Sequence, residues 1–444
     1  MHDGSRLSET KIGCDVLIAG AGPAGLAAAW RAASEGLNVA VVDDNPSAGG
    51  QIWRGEQAKP SSTEAQVWFD RIASSQIRFI PGARIFQQPE SGILLAETTA
   101  GAIELRYNNL ILATGARECF LPFSGWTLPD VMGAGGLQAL VKTGLGISGK
   151  RVVIAGSGPL LLAVAAYLRE HGANVLLIAE QASRSRLLKF GLALLNERSK
   201  RRHAFKLKRR LRGVNYVCGC WPVAAHGDEK LTSVTLQRGS KRWQVECDYL
   251  ACGFHLVPNL ELAELLGCEI TNGVVSVDEF QQTSVPYVYA VGETTGVGGL
   301  ELSLIEGEIA GLAAAKKHNE AKKLFSVRRK QQRFARILNE TFVLRDELRD
   351  LVTSETIVCR CEDVNFERLK AHDSWRAAKL QTRCGMGPCQ GRVCGPAVEF
   401  LFGWQVESVR PPVFPVRVES LITKRHKQND NELAGRDARD NYGV

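Results

Sequence analysis

The stretch from Cys14 to Asp44, CDVLIAGAGPAGLAAAWRAASEGLNVAVVDD, constrains this chain more than any other. An apolar run, Val16 to Ala19, meets Gly20-Ala21-Gly22-Pro23-Ala24-Gly25. It continues into an Ala-rich segment and returns through a second apolar run, Val39 to Val42, to Asp43 and Asp44. This order predicts strand, tight turn, helix and strand. Gly20 permits the turn, Gly22 lets the backbone approach a pyrophosphate resting on the N–H groups of the helix start, and Gly25 lets helix and strand pack closely. Asp43 lies twenty-three residues after Gly20, where a carboxylate can accept hydrogen bonds from a ribose. Strand, helix and acid together make the turn, Pro23 and Ala24 included, a candidate adenine dinucleotide site.

Further segments point to the same ligand. The paired glycines of NPSAGGQIWR let the chain pass close to a cofactor at Gly50, with Gln51 and Arg54 offering polar groups to its phosphates or ring edge. Residues 64–77 have helical spacing. Short alternating segments, 78–86 and 92–97, then suggest antiparallel strands leading to residues 105–112. A buried strand, Asn109 to Ala113, ends at Thr114-Gly115, at the sheet edge where ligands sit in doubly wound folds. A later strand, Tyr287 to Val291, ends at Gly292-Glu293, and a helix beginning near Gly299 offers its N-terminus to an anion.

After an irregular crossing segment, residues 121–150, the opening pattern recurs. Arg151 to Ala155 reads as a strand, Gly156-Ser157-Gly158-Pro159-Leu160-Leu161 as a turn, and a helix and a strand ending at Glu180 follow. Leu161 stands where the third glycine would be, so this second unit has either a wider helix–strand spacing or an altered site. NAD(P)H, another adenine nucleotide such as ATP, and no ligand at all are each compatible with Gly156 and Gly158. The strand-rich remainder runs through Gly253, and the chain then returns to the first unit.

The twelve cysteines are unevenly placed. Cys14, Cys119, Cys247, Cys252 and Cys268 are scattered in apolar surroundings and read as buried thiols. Five others lie between Cys359 and Cys394, in IVCRCEDVNFERLKAHDSWRAAKLQTRCGMGPCQGRVCGP. Two groups of sulfurs separated by a helix-forming segment offer four soft ligands, which suits either zinc or an iron–sulfur centre. No CxxC lies in the first 350 residues and no His–acid pair stands out by spacing, so no catalytic residue is assigned and disulfide reduction is not expected.

At 444 residues the chain is too long for one ordinary core. Its formal net charge of +8 draws on basic runs at Lys200–Arg210 and Lys322–Arg336. These read as solvated surface, with docking to an acidic partner and nucleic acid as lesser alternatives. No apolar run is suited to a targeting or transmembrane role, so a cytoplasmic location is expected, with peripheral association at the inner face of a membrane as a variant. Residues 1–11 and Lys424–Val444 are polar and expected to fray.

Residues 14–320 resemble the flavoprotein family with two dinucleotide-binding domains, glutathione and thioredoxin reductases among them. That resemblance implies an α/β fold in which the second domain is inserted in the first. Gly20, Gly22, Gly25, Asp43, Thr114 and Gly115 would then contact FAD, with Gly292-Glu293 in place of the usual late Gly-Asp motif and facing the ribityl hydroxyls. Residues 355–405 resemble the small helical, bacterioferritin-associated-ferredoxin-like [2Fe–2S] domain. It implies Cys359, Cys361, Cys389 and Cys394 as ligands, with Cys384 as a candidate substitute.

The composite is similar to the α subunits of bacterial opine oxidase, hydroxyproline or proline dehydrogenase and hydrogen cyanide synthase. It implies a partner β subunit of the glycine-oxidase type carrying its own FAD and oxidising a C–N bond. A small third subunit, FMN at the subunit interface and a downstream one-electron acceptor are further candidates, with no nucleic-acid partner. The expected division is 12–120 with 250–320 for FAD, 121–249 for the inserted domain, 321–354 as a linker helix, 355–405 for the cluster and 406–444 as an extended tail lying along a neighbouring subunit. A stand-alone NAD(P)H reductase for a ferredoxin-like acceptor and a flavin/iron–sulfur redox sensor are the competing readings.

Overall fold

The structure, a computed structural model, describes residues 10–55, 62–195, 197–405 and 409–422, without the side chains of 10, 198, 199 and 422. Most of both expected frayed ends lies outside these residues.

The opening βαβ unit forms as β1 (Thr10–Ala19), α1 (Pro23–Ser34) and β2 (Val39–Asp43). Ala24, Ala27, Ala28, Ala29 and Ala32 of α1 are all buried, so small side chains let the helix be covered on more than one side. The next helix, α2 (Thr63–Ala73), starts on Ser62, whose hydroxyl accepts from the Ala65 N–H at 3.1 Å. It stops four residues before the expected end, because Ile77 already opens β3 (Ile77–Pro81), which pairs in parallel with β2. The antiparallel strands expected from Arg78 therefore begin only at β4 (Arg84–Glu90) and β5 (Ile93–Thr98). The long β6 (Gly101–Leu112) pairs antiparallel with β5 and parallel with β1.

After the short β7 (Ala116–Glu118), the segment expected to be irregular holds β8 (Val131–Gly133) and α3 (Ala134–Lys142). The repeat follows as β9 (Arg151–Gly156), α4 (Pro159–Glu170) and β10 (Asn174–Glu180), then α5 (Arg184–Leu195), α6 (Arg198–Arg210) and β11 (Asn215–Cys218). An antiparallel sheet of β12 (Trp221–His226), β13 (Ser233–Arg238) and β14 (Lys241–Glu246) leads to β15 (Tyr249–Gly253). Strand order in the second main sheet is β11-β10-β9-β15-β8. β15 pairs in parallel with both β9 and β8, so Tyr249–Gly253 lies within the second main sheet.

The chain returns through β16 (Leu256–Pro258), paired with β7, then α7 (Glu261–Leu265), the small hairpin of β17 (Ile270–Thr271) and β18 (Val274–Val275), and β19 (Val288–Ala290). β19 joins β6 in parallel and completes a seven-stranded first sheet. α8 (Leu300–Ala314) then packs along α1. A Cβ on Gly307 would fall 2.2 Å from the Ala24 carbonyl oxygen and one on Gly311 2.6 Å from that of Ala28, so the helices meet backbone to backbone. The molecule thus comprises two Rossmann-like α/β units, followed by α9 (His318–Thr341) and a smaller, mainly helical region.

That region contains the hairpin β20 (Ile357–Cys359) and β21 (Val364–Asn365), then α10 (Phe366–Lys370), α11 (Trp375–Thr382) and α12 (Cys394–Phe402). Residues 409–422 run along the chain's own first sheet. The Val413 N–H donates to Phe86 O at 2.9 Å, and the Arg417 N–H and Ser420 hydroxyl donate to Glu97 Oε1 at 2.9 and 2.6 Å. The segment ends in α13 (Val418–Ile422), so it is not extended throughout. No helix among the described residues is long and apolar enough to cross a membrane.

Candidate cofactor sites

The first glycine turn is shaped by its neighbours. Gly20 has φ +111°, and a Cβ there would lie 2.2 Å from the Ala113 carbonyl oxygen, at the end of β6. A Cβ on Gly25 would lie 1.9 Å from the Gly20 carbonyl oxygen. The Gly49-Gly50 loop folds over this turn: the Gly49 N–H donates to Ala21 O at 2.9 Å, and Gly50 crosses Gly22 so closely that a Cβ on it would be 2.8 Å from Gly22 Cα. Beyond the loop, Gln51 is exposed, while Arg54 donates to Asn45 Oδ1 at 3.0 Å and keeps a buried, unpartnered Nε.

Asp43 is buried and engaged by its own chain. It accepts from Ala21 N at 2.6 Å, Asn45 N at 2.8 Å and Asn45 Nδ2 at 2.7 Å. With most of its lone pairs occupied, its first role is to hold the turn in shape. Asp44 points elsewhere, to Asn45 Nδ2 at 3.0 Å and Arg84 at 3.5 Å.

Thr114 and Gly115 meet the other side of the turn. Thr114 Oγ1 donates to Asn259 O at 2.8 Å, and Asn259 Nδ2 returns a bond to Thr114 O at 2.8 Å. The late strand brings in Gly292, at φ +71°, against Ala24, and Glu293 behind it. Glu293 Oε1 accepts from Gly299 N at 3.1 Å, whereas Oε2 is buried without a partner. Burial pushes the Glu293 carboxyl up to about 7. An orphaned acceptor beside a cradle of glycines fits a dinucleotide with hydroxyl groups to donate, so the residues present suit FAD.

No sequence motif marks Glu306 as a site residue. Its buried carboxylate accepts from Gly292 N and Thr295 Oγ1, each at 3.0 Å, and burial raises it to about 7. Glu306 is one of three acids in α8, with Glu301 and Glu308, and only its burial sets it apart.

The second turn is built alike but covered. Gly156 has φ +138°, and a Cβ there would sit 1.9 Å from the Gly253 carbonyl oxygen. Glu180, wholly buried, accepts from Gly158 N and Ala182 N at 2.8 Å each. Leu161 fills the core beside β15. Over the turn lies the chain leaving α9. Ser157 Oγ donates to Phe342 O at 3.1 Å, Gln181 Nε2 to Val343 O at 3.2 Å, and Arg186 to Val343 O at 3.1 Å. The Phe342 ring carbon Cγ lies 3.9 Å from the position of a Cβ on Gly158.

The cysteines form two adjacent groups. Cys359, Cys384 and Cys394 are buried with their sulfurs within 4.8 Å of one another. Cys361, exposed, and Cys389 bring their sulfurs to 3.6 Å. Cys384, the candidate substitute, thus stands in the inner group, 3.9 Å from Cys394. Hydrogen bonds from the Cys384 and Cys394 thiols hold the Cys359 thiol well below the usual thiol range. A Cβ on Gly387 would fall 2.3 Å from Cys361 Cβ, so that glycine lets the two loops close. Five thiols with one already favouring its anion form a donor set suited to a soft metal centre.

Arg117, on β7, joins this region to the β7–β16 pair that follows the first sheet's β6, and no motif in the sequence points to it. Its guanidinium donates to Asn259 Oδ1 and Glu261 Oε1 at 2.8 Å each and to Arg392 O at 3.1 Å. An open cleft of about 430 Å³ lies along β8 and α3, with Arg54 and Arg360 among its walls.

The family profile described as pyridine nucleotide-disulphide oxidoreductase matches residues 14–319. Hydrogen cyanide synthase subunit HcnB of Pseudomonas aeruginosa is 29% identical over 85% of this chain and 90% of its own length. An opine oxidase subunit of Rhizobium meliloti is 28% identical over 96% of this chain and 90% of its own. Among solved structures, L-proline dehydrogenase from P. horikoshii superposes with a TM-score of 0.65 at 19% identity, covering 93% of this chain and 80% of that one.

Proposed function

Because this chain belongs to the pyridine nucleotide-disulphide oxidoreductase family, we propose that it is the electron-transferring subunit of a heteromeric flavoprotein dehydrogenase. Its complex would act on the C–N bond of an amino acid or secondary amine of the opine or hydroxyproline/proline type. The carrying observation is the junction at Arg117, which fastens the cysteine loop to the strand end beside the first glycine turn. Both curated relatives above are named as subunits of redox enzymes, which supports a partner chain.

In this reading Gly20, Gly22, Gly25, Gly50, Thr114, Gly115, Gly292 and Glu293 hold FAD. Cys361 and Cys389, with two of Cys359, Cys384 and Cys394, hold a [2Fe–2S] centre. Flavin accepts two electrons and can release them singly, and the cluster carries one, so together they supply a two-to-one relay. The chain's own residues orient the dinucleotide, exclude water around Glu293 and fix the distance between the two sites. The complex is cytoplasmic, with no nucleic-acid partner.

A stand-alone NAD(P)H reductase is disfavoured by Phe342 and Val343, which cover the second turn. Cofactor and metal analysis of the native complex, with mass identification of its partners, tests the proposal. Expected are FAD, about two iron and two labile sulfide per chain, and an FAD-containing second subunit. Zinc without sulfide would overturn the cluster, and amine oxidation by the isolated chain would overturn the subunit role.

A further inference from the structure

The net charge of the chain is concentrated in one place. The full sequence has 55 Lys and Arg against 47 Asp and Glu, a formal +8. Residues 181–210 hold 11 Lys and Arg and a single acid, Glu197, a net +10, so the rest of the chain sums to −2. That segment is α5 and α6. Glu197 is already paired with Lys330 of α9 at 3.2 Å, Lys200 with Glu301, and Arg210 with Glu170 at 2.9 Å. Arg184, Lys189, Arg201, Arg202, Lys206, Lys208 and Arg209 have no ion-pair partner among the described residues.

The same two helices carry an apolar stripe. α5 turns Phe190 inward, against Phe334 at 5.9 Å and Phe342 at 5.3 Å. No residue of α5 is buried, and its other side presents Leu188, Leu192 and Leu195 at 71, 66 and 56% exposure. Their i, i+4, i+7 spacing sets them on one line. Phe205 of α6 is 70% exposed. Single exposed leucines are ordinary, but four large apolar side chains within eighteen residues, among unpaired cations, form a surface of defined chemistry.

We infer that α5 and α6 dock on an anionic lipid surface. Leu188, Leu192, Leu195 and Phe205 enter the boundary between headgroups and acyl chains, and Arg202, Lys206, Lys208 and Arg209 lie among the phosphates. Basic side chains beside protruding leucine and phenylalanine match the two requirements of interfacial binding, apolar insertion and attraction to anionic headgroups. Nucleic acid would satisfy only the cations. The inference needs neither the proposed substrate nor the proposed partner, so its failure would leave that function standing.

Flotation of the flavin-loaded chain, alone and in its native complex, tests this with vesicles of phosphatidylcholine with or without phosphatidylglycerol. The chain floats only with the anionic vesicles. Arg202→Gln with Lys206→Gln weakens binding about thirtyfold, and Leu188→Ser with Leu192→Ser weakens it roughly tenfold or more. Flavin content and circular dichroism of both double variants stay as in the wild type. Failure of the wild type to float, or unchanged flotation of both variants, overturns the inference. So does a protein subunit held by the wild type and released by the leucine variant without any vesicle binding, which would assign the surface to a protein.

Discussion

Arg117 donates through Nε to the carbonyl oxygen of Arg392 at 3.1 Å, although 275 residues separate them. Arg117 follows Thr114-Gly115 by two residues, and Arg392 lies between Cys389 and Cys394, so one hydrogen bond links β7, just beyond the end of β6, to the cysteine loop. Glu261 pairs with both arginines, at 2.8 and 3.4 Å. Arg392 in turn donates to Cys389 O at 3.3 Å and Val413 O at 2.7 Å. The junction is therefore a small network of charge-assisted bonds rather than a lone contact.

Arg117→Ala removes the centre of that network and leaves Asn259 Oδ1 without its donor. We expect a loss of about 2 kcal/mol, since the pair is partly buried and removal strands its partners. Calorimetry should show a melting point lower by roughly 3 °C. Iron content should hold while cluster reduction by the flavin slows in stopped-flow absorbance. An unchanged rate would mean that the junction does not set the geometry of transfer.

Gly25→Ala places a Cβ 1.9 Å from the Gly20 carbonyl oxygen, where only backbone could yield. The turn and α1 must separate, so the variant should purify with little or no flavin absorbance. Gly36→Ala is the control for loss of a glycine near the same helix. It meets nothing within 4 Å, though its φ of +86° will cost on the order of 1 kcal/mol. Its flavin content should stay at the wild-type level.

Much of this site is legible in the sequence because glycine spacing reports close backbone approach directly. Gly20, Gly25 and Gly156 each lie where the sequence places a turn, and the structure gives each a carbonyl oxygen within 2.2 Å of its missing Cβ. Parallel and antiparallel strands share the same two-residue alternation, so Ile77–Pro81 reads as antiparallel although it pairs in parallel. α3 is hidden by Gly135 and Gly136, which give the helix weak local propensity; the Glu118 carboxylate compensates by accepting from their N–H groups at 2.7 and 3.1 Å. The Arg117 junction and the Phe342 cover depend on side chains meeting across more than a hundred residues, and no local pattern announces such contacts.

The cysteine groups predict an asymmetry. Three inner thiols, Cys359, Cys384 and Cys394, stand where two are needed, whereas Cys361 and Cys389 form the outer pair. Cys394→Ala should retain about half or more of the wild-type iron and sulfide, because Cys384 lies 3.9 Å away and can replace it. Cys361→Ala and Cys389→Ala should lose the centre. Iron and sulfide assays with electron paramagnetic resonance distinguish these outcomes, and equal losses in all three variants would remove Cys384 from the ligand reserve.

Glu293 ties stability to pH. Burial raises its carboxyl to about 7 in the folded chain, above its ordinary value of 4.5. A carboxyl with a raised folded pKa stabilises the fold when protonated, fully so below its unfolded pKa, and that contribution is lost as pH rises through the folded value. The flavin-free chain should therefore melt at a lower temperature at pH 8 than at pH 5.5. Glu293→Gln keeps an acceptor for the Gly299 N–H and places an uncharged amide at the orphaned Oε2 position. Its melting point should exceed that of the wild type at pH 8, with the difference shrinking toward pH 5.5. The same difference at both values would show that Glu293 does not titrate across this range.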